Sequence, residues 1–204
     1  MSKKEIIKVK LDIEVRDKDG KIIQKHSQKS HSFLLNFLKA LRNLFDVYVG
    51  TQVTGTYYTA NGVESITDPS GLANTQTIIG NTTPIMVLGV KASSGDATFG
   101  IQIGSGTNPV SINDYNLQSR YGNDVFTRGD TQFGAIQVSG NSASFTISRD
   151  FTNVTSSYQN IYEVGIEAYI NGIPAFILRD ILSSPVSVPP NGVVKVTYTI
   201  GIQA

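Results

Sequence analysis

The sequence has no cysteine and no tryptophan, only two methionines and two histidines, and few charges: 16 % of its 204 residues are Asp, Glu, Lys or Arg. The lack of cysteine removes disulfides, thiolate nucleophiles and sulfur-ligated metal sites together. The two imidazoles, His26 and His31, stand five apart with no HExxH pattern and no third ligand in view. A zinc site needs three or four placed ligands, and neither histidine has a serine at an interpretable spacing, so no metal and no catalytic triad are expected. No apolar run reaches 18 residues, so no membrane-spanning helix is expected. The opening MSKKEIIKVK passes straight into alternation without the apolar stretch of a leader. Synthesis in the cytosol is the expectation.

What is present is β-like. The chain is 40 % hydrophobic, with nine Tyr, nine Phe and 19 Gly, over a background of Ser, Thr, Asn and Gln. That content is too apolar for disorder and suits sheets with polar, uncharged surfaces joined by glycine turns. The small net charge hides an asymmetry. Residues 1–49 carry eleven Lys/Arg against six Asp/Glu, whereas residues 50–204 carry six against ten. This is either the solvated face of a lysine-rich strand or a source of electrostatic matching between subunits.

Three regions follow: an N-terminal strand–turn–helix element (1–49) packing on the core, a glycine-rich arm or long loop (50–82), and a β-sandwich core (83–204). In the first, Ile7, Val9, Leu11, Ile13 and Val15 alternate with Lys8, Lys10, Asp12, Glu14 and Arg16, the cleanest strand pattern in the chain. Its charged wet face suits a strand protected from edge pairing. Asp19-Gly20 turns it into a second run. Ser32 is placed to cap an amphipathic helix over Phe33–Phe45, with Phe33, Leu34, Phe37, Leu38, Leu41, Leu44 and Phe45 recurring at three and four. Residues 50–82 are punctuated by glycine and read as an arm with Thr77–Ile79 as its one short strand candidate. Then come Pro84–Val90, the alternation Phe99, Ile101, Ile103, a pair of strands over Gln132–Val138 and Ala143–Ser148, and a final strand from Val194 to Ile200. The strongest local signal is Ile161–Ile181, two apolar runs around Asn171-Gly172, read as a hairpin with one face buried, one partly wet, and closed by Arg179-Asp180. Eight to ten short strands and one helix, with no βαβ spacing, give an all-β antiparallel sandwich of jelly-roll type with one short N-terminal amphipathic helix.

The candidate chemistry is thin. Gly104-Ser105-Gly106 lacks the third glycine, the following helix and the lysine of a phosphate loop, and reads as turn chemistry. Glu163 and Glu167 lie on one strand parity about 13 Å apart, wider than a glycosidase pair needs. Asp114, Asp124, Asp130 and Asp150 are turn formers unless they meet around a cation, which would need six to eight oxygens. Asn81-Thr82-Thr83 and Asn153-Val154-Thr155 match glycosylation sequons by chance on this reading. Arginine is scarce after residue 50. Arg149-Asp150 and Arg179-Asp180, placed near strand ends, therefore stand out, either as structural ion pairs within the subunit, with Glu163 as a partner for Arg149 or Arg179, or as subunit contacts. No basic stripe interleaved with aromatics occurs beyond residue 50, so any nucleic-acid contact is not expected to be sequence-specific. No catalytic residue, cofactor or metal is assigned.

The run GIQIGSGTNPVSINDYNLQSRY (100–121), the strand end Arg149-Asp150-Phe151-Thr152-Asn153, the strand IYEVGI (161–166), Leu178-Arg179-Asp180 and the terminal GVVKVTYTI (192–200) occur in an order that resembles virion structural proteins of phages and archaeal viruses. The resemblance covers residues 84–200. It implies a non-enzymatic building block of a capsid, decoration or tail, localised in the virion after synthesis in the host cytoplasm. Its partners would be itself and other virion proteins. Assembly or binding contacts are then expected at Phe37, Leu41, Tyr57, Tyr58, Tyr115 and Tyr121. The alternative is a carbohydrate- or receptor-binding β-module at a fibre or surface appendage, using Tyr57, Tyr58, Tyr115 and Tyr121. An enzyme acting on polysaccharide would need a groove with two carboxylates at catalytic separation.

Overall fold

The alternation in the first strand becomes β1 (Ile7–Arg16), whose Val9, Leu11, Ile13 and Val15 are buried while its charged residues face outward. Asp17 builds the turn that follows. Its carboxylate accepts from the amides of Asp19 and Lys21, both at 3.0 Å, and Gly20 supplies the positive φ of +81° that closes it. The chain returns as β2 (Ile22–Ser30). The computed structural model describes residues 7–30, 32–45, 47–52, 55–60, 66–67, 69–71, 73–74, 88–170 and 173–203.

Helix α1 (Leu35–Phe45) follows, then β3 (Val47–Gln52) paired antiparallel with β4 (Gly55–Ala60), and the two-residue strands β5 (Ile66–Thr67) and β6 (Ala73–Asn74) paired with each other. The stretch expected to be an arm thus contains a hairpin. Its Val, Tyr and Thr content favours strand, and Gly50 and Gly55 are taken into the ladder opposite Tyr57 and Gln52. The strand expected at 77–79 lies outside the described residues. The remaining strands are β7 (Leu88–Gly89), β8 (Gly100–Gly104), β9 (Phe126–Arg128), β10 (Gln132–Phe133), β11 (Gln137–Ser139), β12 (Ser142–Asn153), β13 (Gln159–Ile170), β14 (Ile173–Val188) and β15 (Val193–Gln203).

They form two principal antiparallel sheets. In the first, β12, β15, β1 and β2 lie side by side, and β9, β10 and β11 pair in succession along the free edge of β12. In the second, β13 is central, with β14 on one edge and β8 and β7 along the other. One hydrophobic core joins them: Leu11, Ile13, Val194, Val196 and Phe151 from the first sheet, Ile101, Ile103, Val164, Ile166 and Leu178 from the second. Tyr198 of β15 crosses between them and donates to the Asp180 carboxylate of β14 at 3.0 Å. Burial pushes the Tyr198 phenol well above its ordinary range, and the Asp180 charge adds to it.

Several local expectations need correction. β1 is not an edge strand: it pairs with β15 on one side and β2 on the other, and its charges face outward as they do on any sheet with one wet face. The helix begins at Leu35, not at a Ser32 cap. Residues 32–34 are extended along the outer edge of β14, where the Leu34 amide donates to the Ile177 carbonyl at 2.9 Å and the Arg179 amide to the Ser32 carbonyl at 3.2 Å. Unpaired backbone groups at a sheet edge claim those residues before a helix can. The central hairpin is longer than its pattern suggests. β14 runs 16 residues to Val188, with pairing shifts near Ile161–Glu163 and Ile166–Glu167, so Arg179-Asp180 and Arg149-Asp150 lie inside strands and not at their ends. The turn at Asn171-Gly172 lies outside the described residues, but Ile170 pairs with Ile173 across it. From Glu163 to Ala168 every residue of β13 is buried, so neither face is wet. The first sheet covers one face; the 105–120 connection covers the other, around a small second core of Leu34, Leu117 and Phe176.

Candidate functional site: arginine clamps around a buried carboxylate

The side chains of β13 that face the 105–120 connection are Glu163, Gly165 and Glu167. Glu163 has no exposure. Its Oε1 accepts from the amides of Gly106 (3.1 Å) and Ser119 (2.7 Å), and its Oε2 from the amide of Gln118 (3.0 Å) and from Arg179 Nε (2.9 Å). The glycines of Gly104-Ser105-Gly106 acquire a reason here. A Cβ at Gly104 or Gly106 would stand 2.6 or 2.5 Å from Glu163 Oε1. The stretch is more than a turn: its Gly106 amide joins those of Gln118 and Ser119 in a backbone cradle for an anion, filled by the protein's own carboxylate.

Arg179 comes from β14, directly across from Gly165 and diagonal to Glu163. It is 2 % exposed, bonds Asp114 Oδ2 through Nη1 at 2.7 Å and donates to the Asn108 carbonyl through Nη2 at 3.2 Å. One guanidinium therefore ties Glu163 of the neighbouring strand to the loop at Asn108 and Asp114. Gly165 leaves room beneath: a Cβ there would fall 2.7 Å from the Leu178 carbonyl and 3.1 Å from Leu117.

The other late arginines act alike. Arg149 pairs with no carboxylate among the described residues, contrary to the expected ion pair with Glu163 or Asp150. It is 1 % exposed and donates to the carbonyls of Gly129 (2.9 Å), Phe99 (3.0 Å), Ile101 (3.2 Å), Ser93 (3.1 Å) and Asp96 (2.6 Å). The reason is geometric: Arg149 points into the core side of β12, where loop carbonyls converge, while Asp150 alternates to the exposed side. Arg128 donates to Gln102, Asn123 and the carbonyls of Phe126 and Tyr121. Both guanidiniums flank the Phe151 ring at about 6 Å. Burial lowers each to about 10, so both remain charged at neutral pH. Arg120 Nη1 lies 2.8 Å from Glu167 Oε2, yet that oxygen receives no well-aimed hydrogen bond. Desolvation therefore outweighs the cation, and the Glu167 carboxyl is pushed up to about 7.

Asn153 completes the Arg149–Phe151–Asn153 face of β12. Its amide nitrogen donates to the carbonyls of Ser157, Val188 and Pro189, and its oxygen accepts from Thr155, locking the turn in which Asn191 adopts a φ of 57°. Glu163 and Glu167, considered as an acid pair, are committed separately to Arg179 and Arg120. Asp114 is held by Arg179 and Ser111, and Asp130 accepts from Ser94. Among the described residues no three His, Asp or Glu side chains are grouped to hold a metal. His31 lies outside the described residues; His26 faces Gln28 at 2.9 Å.

The expected contact residues scatter. Tyr121 is half-buried, packs edge-on against Phe126 at 5.1 Å and donates its hydroxyl to the Asn160 carbonyl at 2.8 Å. Burial raises its phenol. Phe37 is half-buried and stacks on Phe33 at 4.3 Å. Tyr115 is 43 % exposed at the rim of a polar cavity of about 490 Å³ lined by Arg179, Asp114, Asn108, Asn116 and Gln118. Tyr57 and Tyr58 lie on β4 and Leu41 on α1, but their side chains are outside the described set. Arg120 and Arg128 were missed, and Glu167 was weighed only as half of an acid pair. The arginines' signal was available: every arginine after residue 50 belongs to a clamp, and a scarce, geometrically demanding residue retained four times is informative. No family model, curated protein or solved structure matches the chain.

Proposed function

We propose that the chain is a building block of a virus particle that associates with copies of itself and with other virion proteins, its two sheets packed as a jelly-roll-like β-sandwich. The observation that carries this reading is an uncovered apolar row at one end of the first sheet. Val138, Ala143, Ile202 and Ile7 are successive cross-strand partners on β11, β12, β15 and β1. Val138, Ile202 and Ile7 are 75 %, 59 % and 51 % exposed, and Ile136 beside them 71 %. Contiguous exposed apolar side chains rimmed by polar residues mark protein contact surfaces. The arginine clamps support the same reading, because rigid loops lose little entropy when a neighbour docks on them. So does the low-charge surface, which packs into arrays without strong repulsion. Obligate contacts of this kind bury well over about 1,000 Å².

The experiment is sedimentation velocity on the native chain and on Val138→Asp and Ile202→Asp. Both side chains are exposed, so the fold should survive, as circular dichroism would check. The native chain is expected to sediment as an oligomer and both variants as smaller species. Native protein that stays monomeric at every concentration would sink the proposal.

The polar cavity beside Tyr115 favours a second reading, a carbohydrate-binding module. Asp114, Asn108, Asn116 and Gln118 offer the hydrogen-bonding groups that sugar hydroxyls use, beside an exposed ring. A glycan array followed by Tyr115→Ala tests it: binding lost in the variant supports this reading, and no binding by the native chain removes it.

A further inference from the structure

The outward face of the first sheet carries a second feature, which borders the apolar row at Ala143 and Ile202. A trough of about 570 Å³ runs over it, with Lys8, Lys10, Lys29, Ser144 and Thr199 along its polar walls and Val9, Ala143 and Ile202 also in its lining. The register fixes its cross-section. Ser144, Gly201 and Lys8 form one row; Thr146, Thr199, Lys10 and Lys29 form the next. Gly201 and Thr199 make a low floor, hydroxyls rise on the β12 side, and ammonium groups on the β1–β2 side. Lys10 and Lys29 are direct cross-strand neighbours with Lys8 two residues along. Like charges placed opposite one another in a sheet are destabilising. Only Lys10 has an acidic partner, Asp12 at 2.8 Å; Lys8 reaches the neutral Gln203, and Lys29 has no acidic partner among the described residues. The next row, Ser148, Thr197, Asp12 and Ser27, carries one charge, and the row beyond it, Asp150, Lys195, Glu14 and Lys25, alternates in sign. The charge rule is kept at one end of the face and broken at the other.

We propose that this trough binds the phosphodiester backbone of a nucleic acid, independently of base sequence. The lysines answer the phosphate charge and the serine and threonine hydroxyls the phosphate oxygens, the side chains that make backbone contacts generally. The trough has no aromatic side chain on which a base could stack, so sequence preference is not expected. An acidic peptide fits less well. A peptide lying over β1 and β15, which are paired on both edges, could not add as a strand there and would have only side-chain contacts. The inference does not depend on whether the chain assembles.

The test is fluorescence anisotropy of a labelled single-stranded oligonucleotide of mixed sequence, titrated with the full chain between low and physiological salt. Three neutralised phosphates give a log–log salt slope of about −2. Lys8→Gln/Lys10→Gln/Lys29→Gln is expected to weaken binding at least tenfold at low salt. Lys18→Gln/Lys21→Gln, on the exposed turn at the far end, is expected to change it less than twofold. Oligonucleotides of different sequence should bind alike. No binding at low salt, equal loss in the two variants, or tighter binding of an equally charged heparin fragment or acidic peptide would each overturn the proposal.

Discussion

Glu163 shows how a buried charge is tolerated. Three backbone amides and the Arg179 guanidinium replace its hydration, so neither partner can be removed without stranding the other. Breaking a buried pair in this way costs about 3–5 kcal/mol. Glu163→Gln, which also turns an amide NH₂ toward two donors whichever oxygen it replaces, is therefore expected to lower the unfolding free energy by about that amount in urea titrations; a loss under about 1 kcal/mol would mean that the cradle is not holding the loop. Glu167 behaves in the opposite sense. Burial pushes its carboxyl up to about 7 from an ordinary 4.5, so the folded state holds the proton more tightly. That contribution is fully present below about pH 4.5 and is lost as pH rises through 7, by at most about 3 kcal/mol. The native chain is expected to lose stability relative to Glu167→Gln between pH 5 and 8, measured as the difference of their thermal midpoints. A difference that is flat or grows with pH would contradict the assignment. Of the expected ion-pair residues, Arg179 and Glu163 do pair, whereas Arg149 turns to loop carbonyls and Asp180 accepts from Tyr198. Which arginine met which acid was not legible in the sequence, because parity gives a side chain's face but not the loop that folds over it.

At the scale of elements, the unforeseen device is the seam between the sheets. Gln24 and Gln28 of β2 each make a paired contact with the backbone of β14. Gln24 donates to the Pro185 carbonyl (3.1 Å) and accepts from the Ser187 amide (2.9 Å); Gln28 donates to the Ile181 carbonyl (3.0 Å) and accepts from the Ser183 amide (3.0 Å). The side-chain amides stand in for a missing strand along the outer edge of β14. Replacing either glutamine by leucine should cost about 1–3 kcal/mol, since backbone groups lose their partners. The sharper reading is hydrogen exchange. The Ser183 amide should exchange faster in Gln28→Leu and the Ser187 amide in Gln24→Leu, and unchanged protection in both would refute the seam. The alternating pattern of β1 and the hairpin around Asn171-Gly172 could be read because each is a local signal. β2 could not be oriented that way: its inward Gln24, His26 and Gln28 are polar, so a hydropathy pattern has nothing to register, and only the opposing strand reveals their use. The same holds for β14, whose Ser183-Ser184-Pro185 reads as a break but continues as strand.

For the whole molecule, sequence patterning reached the all-β class, the single short helix and the antiparallel pairing. It did not reach the strand order, because β1 joins β15 across nearly the full length of the chain, a contact with no local trace. The resulting object has a first sheet with a polar outer face, a second sheet sealed by clamped loops, and one apolar end left open. A rigid body with an uncovered end is the form that a self-associating subunit takes. The measurement that bears on this most directly is the molar mass of the purified chain by light scattering over a wide range of concentration. The account expects an integer multiple of the 22.0 kDa subunit mass, persisting on dilution or growing with concentration. A mass of one subunit throughout, with the apolar end still exposed, would contradict it.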